Sequence, residues 1–142
     1  MRGYLYRYSL DDKRVINLGK VAEQYAFRLV VGVDGHVYGT SNTGWLFRVN
    51  TDTLKIEDLN FQMEHAPYDH GFRCNMMSIG RNGPDGRMYF TSMYSHSIYA
   101  LDTKTDKVED MGWYLPTERY SRRENRHGVH GCPLYTSDPA DE

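Results

Sequence analysis

The chain has 142 residues, with 13% aromatic residues and a formal net charge of −2 at pH 7. This length suits one domain, and a charge so close to neutral argues against a nucleic-acid partner, which would need a basic stripe. No stretch of the sequence approaches about 18 consecutive apolar residues, so it predicts no membrane-spanning helix.

The first repeated element is a segment that occurs three times, at residues 4–19, 45–60 and 97–112. Each copy alternates apolar and polar residues, then has a polar turn, then a second short apolar run, which predicts a β-hairpin. In the second copy the turn is Asn50–Thr53, whose side chains can bond the local backbone. The copies begin 41 and then 52 residues apart (45 − 4 and 97 − 45), a period typical of propellers and solenoids.

A second element occurs twice, at residues 27–41 and 76–92. Its centre is an Asp-Gly pair, Asp34–Gly35 in one copy and Asp85–Gly86 in the other. Asp-Gly between two alternating runs is typical of a hairpin turn, because glycine reaches positive φ without the steric cost of a Cβ. Several residues on or beside these strands are predicted to be structural: His36, Tyr38, Trp45, Leu46, Tyr89, His96, Ile98 and Tyr99.

Joining the two elements gives a unit of four short antiparallel strands. The strands predicted for the two complete units are 28–33, 36–40, 45–50 and 55–59, and then 76–80, 87–92, 97–102 and 107–111. Four such strands in a repeat of about 40–50 residues are typical of one blade of a β-propeller. The sequence therefore predicts an all-β fold, a partial β-propeller of about two and a half four-stranded antiparallel blades. The predicted propeller spans residues 1–131, with blade parts 1–19, 20–60, 61–112 and 113–131.

The pattern Asp-Gly-x-x-Tyr, followed by Gly-x-Leu and a turn that leads into Glu-Asp-Leu, resembles that of bacterial β-propeller repeats. Three kinds of repeat share it: Kelch-like repeats, the propeller repeats of two-component regulators, and repeats like those of oligogalacturonate lyases. The resemblance extends from Tyr4 to about Gly131. Because the shared residues form strands and turns, the resemblance implies a bacterial propeller without selecting one activity.

The last segment, residues 132–142, departs from the repeat and closely resembles the translation of a sequencing adaptor. Nine of its eleven positions agree with that translation, and Pro133 and Pro139 differ. We therefore expect a non-native, adaptor-derived tail on a metagenomic fragment whose reading frame is cut near Gly131. Since propellers need roughly four to eight blades, the first expected partner is the missing blades of the same chain. Open sheet edges predict poor solubility or marginal stability, and the compartment stays open between cytoplasm, periplasm and exterior.

Two long segments between predicted strands, residues 60–73 and 113–130, carry the candidate site. Long loops with polar side chains are often functional, and the resemblance implies that such loops meet at one mouth of a propeller's channel. The polar residues singled out there are His65, Asp69, His70, Arg73, Arg119, Tyr120, His127 and His130. The arginine-rich run at residues 122–126 is instead interpreted as a solvated, partly paired patch.

These residue types suit a carboxylated sugar. Arg73 and Arg119, with Asp69, are candidates for substrate binding, since guanidinium groups pair bidentately with carboxylates. The catalytic candidates, which would move a proton, are His70, Tyr120, His127 and His130. The resemblance to lyases implies a divalent metal such as Mn, for which the candidate ligands are His65, His70 and His130. The expected ligand is accordingly an acidic oligosaccharide.

The leading interpretation is a carbohydrate-active propeller, lyase-like or sugar-binding, and whether it is an enzyme stays open. The alternative is a non-catalytic propeller that serves as a sensor or a protein-interaction module. A quinone-dependent dehydrogenase is less favoured, because the chain has only Trp45 and Trp113 and lacks the tryptophan pattern of that class. Further histidines or acids at the positions of His70 and His130 in other blades would favour the enzyme.

Overall fold

The computed structural model of the chain describes residues 3–23, 26–63, 77–92 and 97–113. Throughout these ranges the regular structure is β-strand, and no helix occurs. In chain order the strands are β1 (Tyr4–Ser9), β2 (Arg14–Lys20), β3 (Ala26–Val31), β4 (Val37–Ser41), β5 (Trp45–Val49), β6 (Ile56–Gln62), β7 (Met77–Asn82), β8 (Met88–Ser92), β9 (Ser97–Asp102) and β10 (Lys107–Trp113). Every strand pair is antiparallel, so the predicted all-β antiparallel fold is confirmed.

The strands form three sheets. Sheet 1 contains β1 and β2, sheet 2 contains β3 to β6, and sheet 3 contains β7 to β10. In sheets 2 and 3 each strand pairs with the next one along the chain, so both are four-stranded meanders. The strands predicted for the two complete units are all present, with ends that differ from the prediction by at most three residues.

The turn between the last two strands of each sheet has a left-handed residue at the same position. One non-glycine residue of this turn has a positive φ in each sheet: Lys13 (φ 51°), Leu54 (φ 57°) and Asp106 (φ 56°). These residues occupy the same position in the three sequence copies. In sheet 2, Asn50 Oδ1 accepts hydrogen bonds from the backbone N–H groups of Asp52 and Thr53, at 3.0 and 3.1 Å. The predicted role of Asn50 in this turn is therefore confirmed.

Sheets 2 and 3 pack against each other, and they approach most closely at their first strands, β3 and β7. Gly80 of β7 faces Val30 of β3, and a Cβ at Gly80 would lie 2.8 Å from Val30 Cγ1. A buried hydrogen bond crosses the same junction, from the backbone N–H of Met77 to Thr40 Oγ1 at 2.6 Å. Among the described strands, no other pair from different sheets lies so close, so the gap between the sheets widens away from β3 and β7.

Side chains from sheets 2 and 3 form one buried cluster between them. Its fully buried members are Tyr38, Leu46, Met63, Met77, Met88, Phe90, Tyr99 and Leu101. The Phe90 and Tyr99 rings stack with their centroids 5.3 Å apart, and the Phe61 ring meets Tyr99 edge-on at 5.4 Å. Aromatic side chains contribute the largest buried areas to such a junction. The predicted packing roles of Tyr38, Leu46 and Tyr99 are confirmed.

The predicted packing role of Trp45 is wrong, because this side chain is 45% exposed. Trp45 is the first residue of β5 and follows the turn at Gly44. Phe47 and Val49, which point to the same side of the strand, are buried. Trp45 therefore follows the apolar alternation of the strand but is exposed at its first residue, where the pairing with β6 has a bulge between Trp45 and Phe47.

Candidate functional site

The side chains predicted for binding and catalysis lie outside the described residues, in the ranges 64–76 and 114–142. They are His65, Asp69, His70, Arg73, Arg119, Tyr120, His127 and His130. The roles assigned to them stay predictions, as does the structural role of His96. Within the described ranges, no group of three or more His, Cys, Asp or Glu residues is arranged to hold a metal ion. No helix in that part of the chain has the length and apolar character needed to cross a membrane.

The described residues bring together a different set of polar side chains, which the sequence analysis did not recognise as a unit. In sheet 2 these side chains form the first cluster: Asp34, Tyr38, Arg48 and Glu57. In sheet 3 they form the second cluster: Asp85, Arg87, Tyr89 and Glu109. Each cluster joins one aspartate, one tyrosine, one arginine and one glutamate.

The first cluster begins at the turn between β3 and β4. Gly35 has φ +83°, and its N–H donates to the carbonyl of Gly32 at 3.0 Å. Asp34 Oδ1 accepts from the backbone N–H of His36 at 3.1 Å, which leaves Oδ2 to accept from the Tyr38 hydroxyl at 2.7 Å. The aspartate thus shapes the turn and fixes the tyrosine that follows it. Nδ1 of the His36 ring also lies 3.1 Å from Thr51 Oγ1, which belongs to the turn between β5 and β6.

The turn between β7 and β8 repeats this geometry. Gly86 has φ +81°, and its N–H donates to the carbonyl of Gly83 at 3.2 Å. Asp85 Oδ1 accepts from the N–H of Arg87 at 3.2 Å, and Oδ2 accepts from the Tyr89 hydroxyl at 2.7 Å. The two turns, 51 residues apart in sequence, therefore place an aspartate and a tyrosine in the same contact.

A glycine two residues before each aspartate is a requirement of this turn that the sequence analysis missed. A Cβ at Gly32 would lie 2.6 Å from Tyr38 Cε2, and a Cβ at Gly83 would lie 2.5 Å from Tyr89 Cε2. Both distances are shorter than any ordinary contact between carbon atoms, because the tyrosine ring lies directly over the glycine. The signal was available, since the full repeated pattern is Gly-x-Asp-Gly-x-x-Tyr.

Arg48 completes the first cluster and links it to sheet 3. It lies on β5, and its guanidinium group donates to Glu57 Oε2 on β6 from Nε at 2.8 Å and from Nη2 at 2.7 Å. Its Nη1 donates to Asp106 Oδ1, in the turn between β9 and β10, at 2.6 Å. Burial of Arg48 opposes its charge, but the contacts with Tyr38, Glu57 and Asp106 outweigh that effect and hold its pKa above the ordinary value.

The same surroundings keep Tyr38 protonated. Burial, followed by the hydrogen bond to Asp34, raises the pKa of Tyr38 well above its usual range. A tyrosine in this state keeps its proton and donates a hydrogen bond to Asp34. Its role here is to connect the turn to the buried cluster.

Arg87 completes the second cluster from a different position, just before β8. It donates to Asp85 Oδ2 from Nε at 2.6 Å, to the Tyr89 hydroxyl from Nη2 at 2.7 Å, and to Glu109 Oε2 from Nη1 at 3.0 Å. Its guanidinium carbon also lies 5.2 Å from the centroid of the Tyr89 ring. The hydrogen bonds from Arg87 and then Tyr89 lower the pKa of Asp85 to about 2.

Both clusters are chemically closed. In each one the arginine is paired with carboxylates, and the tyrosine hydroxyl donates to the aspartate of the turn. In such an arrangement the polar side chains are engaged with one another and none is set up as a base or nucleophile. The arrangement suits a structural role, in which it fixes a turn to the neighbouring strands. Within the described residues, these clusters therefore explain the structure and do not constitute an active site.

Comparison with known proteins gives one informative likeness. No family model matches the chain, and no curated protein matches it. Among solved structures, the extracellular domain of a bacterial one-component system, BT4673 of B. thetaiotaomicron, matches with a TM-score of 0.55 and 11% sequence identity. The match covers 79% of this chain and 15% of that chain, so the chain spans a small part of the larger domain. At this identity the likeness concerns the fold alone.

Proposed function

We propose that the chain is part of a β-propeller, and that this propeller belongs to a ligand-sensing domain. The proposal rests first on the two four-stranded meanders, which have the same strand order and the same Gly-x-Asp-Gly-x-x-Tyr turn. Their closest approach is between first strands, with a wider gap at the outer strands. Sheets that converge in this way are what a radial arrangement of blades requires.

The observation that carries the sensing function is the likeness to an extracellular domain of a one-component system. It favours the sensor, the alternative interpretation of the sequence, over the lyase-like form of the leading interpretation. The clusters in the described residues are compatible with a sensor, because they rigidify the turns and contain no reactive group. A rigid scaffold that presents variable loops is a common way to build a binding site.

For the ligand we propose an acidic oligosaccharide, bound by the long loops and not cleaved. The support is compositional: Arg73, Arg119 and Tyr120 are the side-chain types that pair with a uronate and stack on a sugar ring. In this proposal the histidines of the same loops, His70 and His130, contribute hydrogen bonds to the sugar.

The test is calorimetric titration of the 142-residue chain with oligogalacturonides, alongside an absorbance assay for unsaturated uronide products with and without manganese. The proposal expects binding without product. The double variant Arg73→Ala/Arg119→Ala should weaken binding at least tenfold, since each charge-assisted pair is worth about 1.5–3 kcal/mol. The matched control is Arg14→Ala on β2, which should bind normally. Release of unsaturated product would favour the lyase-like interpretation, and absence of binding would reject the proposal of an acidic ligand.

A further inference from the structure

Sheet 1 has two strands where sheets 2 and 3 have four. Its strands β1 and β2 come from the first copy of the threefold repeat, whose other copies form β5 with β6 and β9 with β10. In the complete sheets the free side of the third strand is paired with a second strand, β4 on β5 and β8 on β9. Within the described residues β1 pairs with β2 alone, so its other edge presents unpaired backbone groups.

Side chains of β1 are exposed where their counterparts are buried. Tyr6 is 41% exposed, whereas the equivalent residues Phe47 and Tyr99 are 5% and 1% exposed. Tyr8 is likewise exposed, whereas its counterpart Val49 is buried. Tyr6 and Tyr8 are thus exposed at positions that are buried in a complete sheet, and both lie on one face of β1.

A second exposed surface lies on the neighbouring sheet. Leu29 and Val31 share one face of β3, and about half of each side chain is exposed. Farther out on the same face, Ile56 of β6 is approached by β2, since a Cβ at Gly19 would lie 3.4 Å from Ile56 Cδ1. Sheet 1 therefore approaches this face at its outer strand, whereas the face is exposed over β3. On the opposite face of β3, the equivalent place is filled by β7.

The charge of β1 completes the pattern. Arg7 is the counterpart of Arg48, and it faces Ile16 across the sheet where Arg48 faces Glu57. No ion pair or hydrogen bond of the Arg7 side chain occurs among the described residues, and the side chain is exposed. An incoming tyrosine hydroxyl, placed beside Arg7 as Tyr38 is placed beside Arg48, would give this guanidinium group a partner.

We propose that the free edge of β1 and the bare face of β3 together bind a two-stranded β-hairpin with the sequence pattern Gly-x-Asp-Gly-x-x-Tyr. The second strand of the hairpin pairs antiparallel with β1, and its tyrosine lies opposite Arg7 as Tyr38 lies opposite Arg48. The first strand covers Leu29 and Val31 with its apolar side chains. Both complete sheets hold such a hairpin in the equivalent place, and this inference does not depend on the proposed sensing function.

The probe for this site is a peptide copy of residues 26–41, the hairpin of β3 and β4. An isolated hairpin is only marginally stable in water, so the peptide is cyclised through its ends, where Ala26 and Ser41 are cross-strand partners. Fluorescence anisotropy of the labelled peptide with the 142-residue chain measures binding. Hydrogen exchange measures protection of the β1 backbone amides.

The proposal expects saturable binding together with slower exchange of the β1 amides. Arg7→Ala in the chain and Tyr38→Phe in the peptide should each weaken binding about tenfold, and the two effects should not add, since they remove one contact. Val31→Glu should also weaken binding, without unfolding risk because the side chain is exposed. Arg14→Ala is the control and should change nothing.

Three results would overturn the proposal. The first is equal binding of a peptide with the same composition in scrambled order. The second is binding without protection of β1. The third is protection of β1 that rises with the concentration of the chain alone and resists excess peptide, which would assign the edge to a second copy of the chain.

Discussion

The first and second clusters contain the same four side-chain types but take the arginine from different positions in the sheet. Arg48 lies on the third strand of sheet 2, at the position that Ala100 occupies in sheet 3. Arg87 precedes the second strand of sheet 3, at the position that His36 occupies in sheet 2. Both guanidinium groups still reach the tyrosine and the fourth-strand glutamate. What recurs is therefore the set of contacts, and the position of the arginine is free to change.

The change of position has a consequence for packing. The Arg48 side chain is 17% exposed and bonds Asp106 in the other sheet, so the first cluster ties two sheets together. The Arg87 side chain is 33% exposed and its partners all belong to sheet 3. Partly buried ion pairs leave an uncompensated charge when broken, whereas exposed pairs contribute little. The two clusters should therefore differ in energy although their hydrogen bonds look alike.

Removal of each arginine tests this comparison most directly. Arg48→Ala should lower the free energy of unfolding by about 2 kcal/mol, because Glu57 and Asp106 lose their shared partner. Arg87→Ala should lower it much less, because the ion pairs of Arg87 are more exposed to solvent. Urea denaturation of both variants measures the difference, with Arg14→Ala as the reference for an exposed arginine. Equal losses for the two variants would show that the link between sheets carries no extra stability.

The glycine under each tyrosine gives a second contrast. Gly32→Ala should cost about 2 kcal/mol, because the ring of Tyr38 is fully buried and cannot move away from the new Cβ. Gly83→Ala should cost about 1 kcal/mol, because Tyr89 is partly exposed and its ring can shift. Gly35→Ala is the reference for the cost of placing alanine at a positive φ without a steric clash, since a Cβ there meets nothing within 4 Å. A larger cost at Gly83 than at Gly32, in the same denaturation assay, would contradict this account.

Moving the arginine within sheet 2 sharpens the comparison. In an Arg48→Ala background, the further change His36→Arg copies the arrangement of sheet 3, and the new side chain can reach Glu57. It should recover roughly 0.5 kcal/mol of the loss, the value of an exposed pair, and no more, because it lies too far from Asp106. Full recovery would mean that the contact between sheets is dispensable. His36→Gln in the same background controls for loss of the imidazole.

The smallest expected effect is a dependence on pH. The pKa of Asp85 is lowered from 3.8 to about 2 in the folded state, so its contribution to stability is complete above pH 4 and is lost as the pH falls toward 2. Asp85→Asn should therefore flatten the decline of stability across this window. In the Arg87→Ala background the same change should have a smaller effect, because the main cause of the lowered pKa is gone. An identical effect in both backgrounds would refute the pairing.

The strands and their order could be predicted because they depend on local signals. Asp34–Gly35 and Asp85–Gly86 mark turns wherever they fall between alternating runs, and the observed strands begin and end close to the predicted positions. Trp45 shows the limit of an alternating apolar pattern. The pattern predicts the face of the strand on which a residue lies, but not whether that residue is buried. The predicted marginal stability of the chain stays a prediction.

The clusters could not be predicted from the same signals. The contact of Arg48 with Asp106 joins residues 58 positions apart in the sequence. Because the arginine also changes position between the copies, no fixed spacing in the sequence predicts this contact. The left-handed Lys13 and Leu54 were equally hidden, because neither residue type favours positive φ. For the candidate site, the loops of His70 and His130 carry no strand pattern, and the sequence supplied residue types without an arrangement.

The bond from Arg48 to Asp106 also bears on how the molecule comes apart. At the junction of sheets 1 and 2 the corresponding residues are Arg7 and Leu54, and leucine offers no acceptor. Sheets 2 and 3 share a core and an ionic link, so they should lose their structure in one cooperative step. The β1–β2 hairpin lacks both and should open first, at a lower free energy. The shared core and the ionic link thus divide a chain of repeated units into parts that should unfold at different free energies.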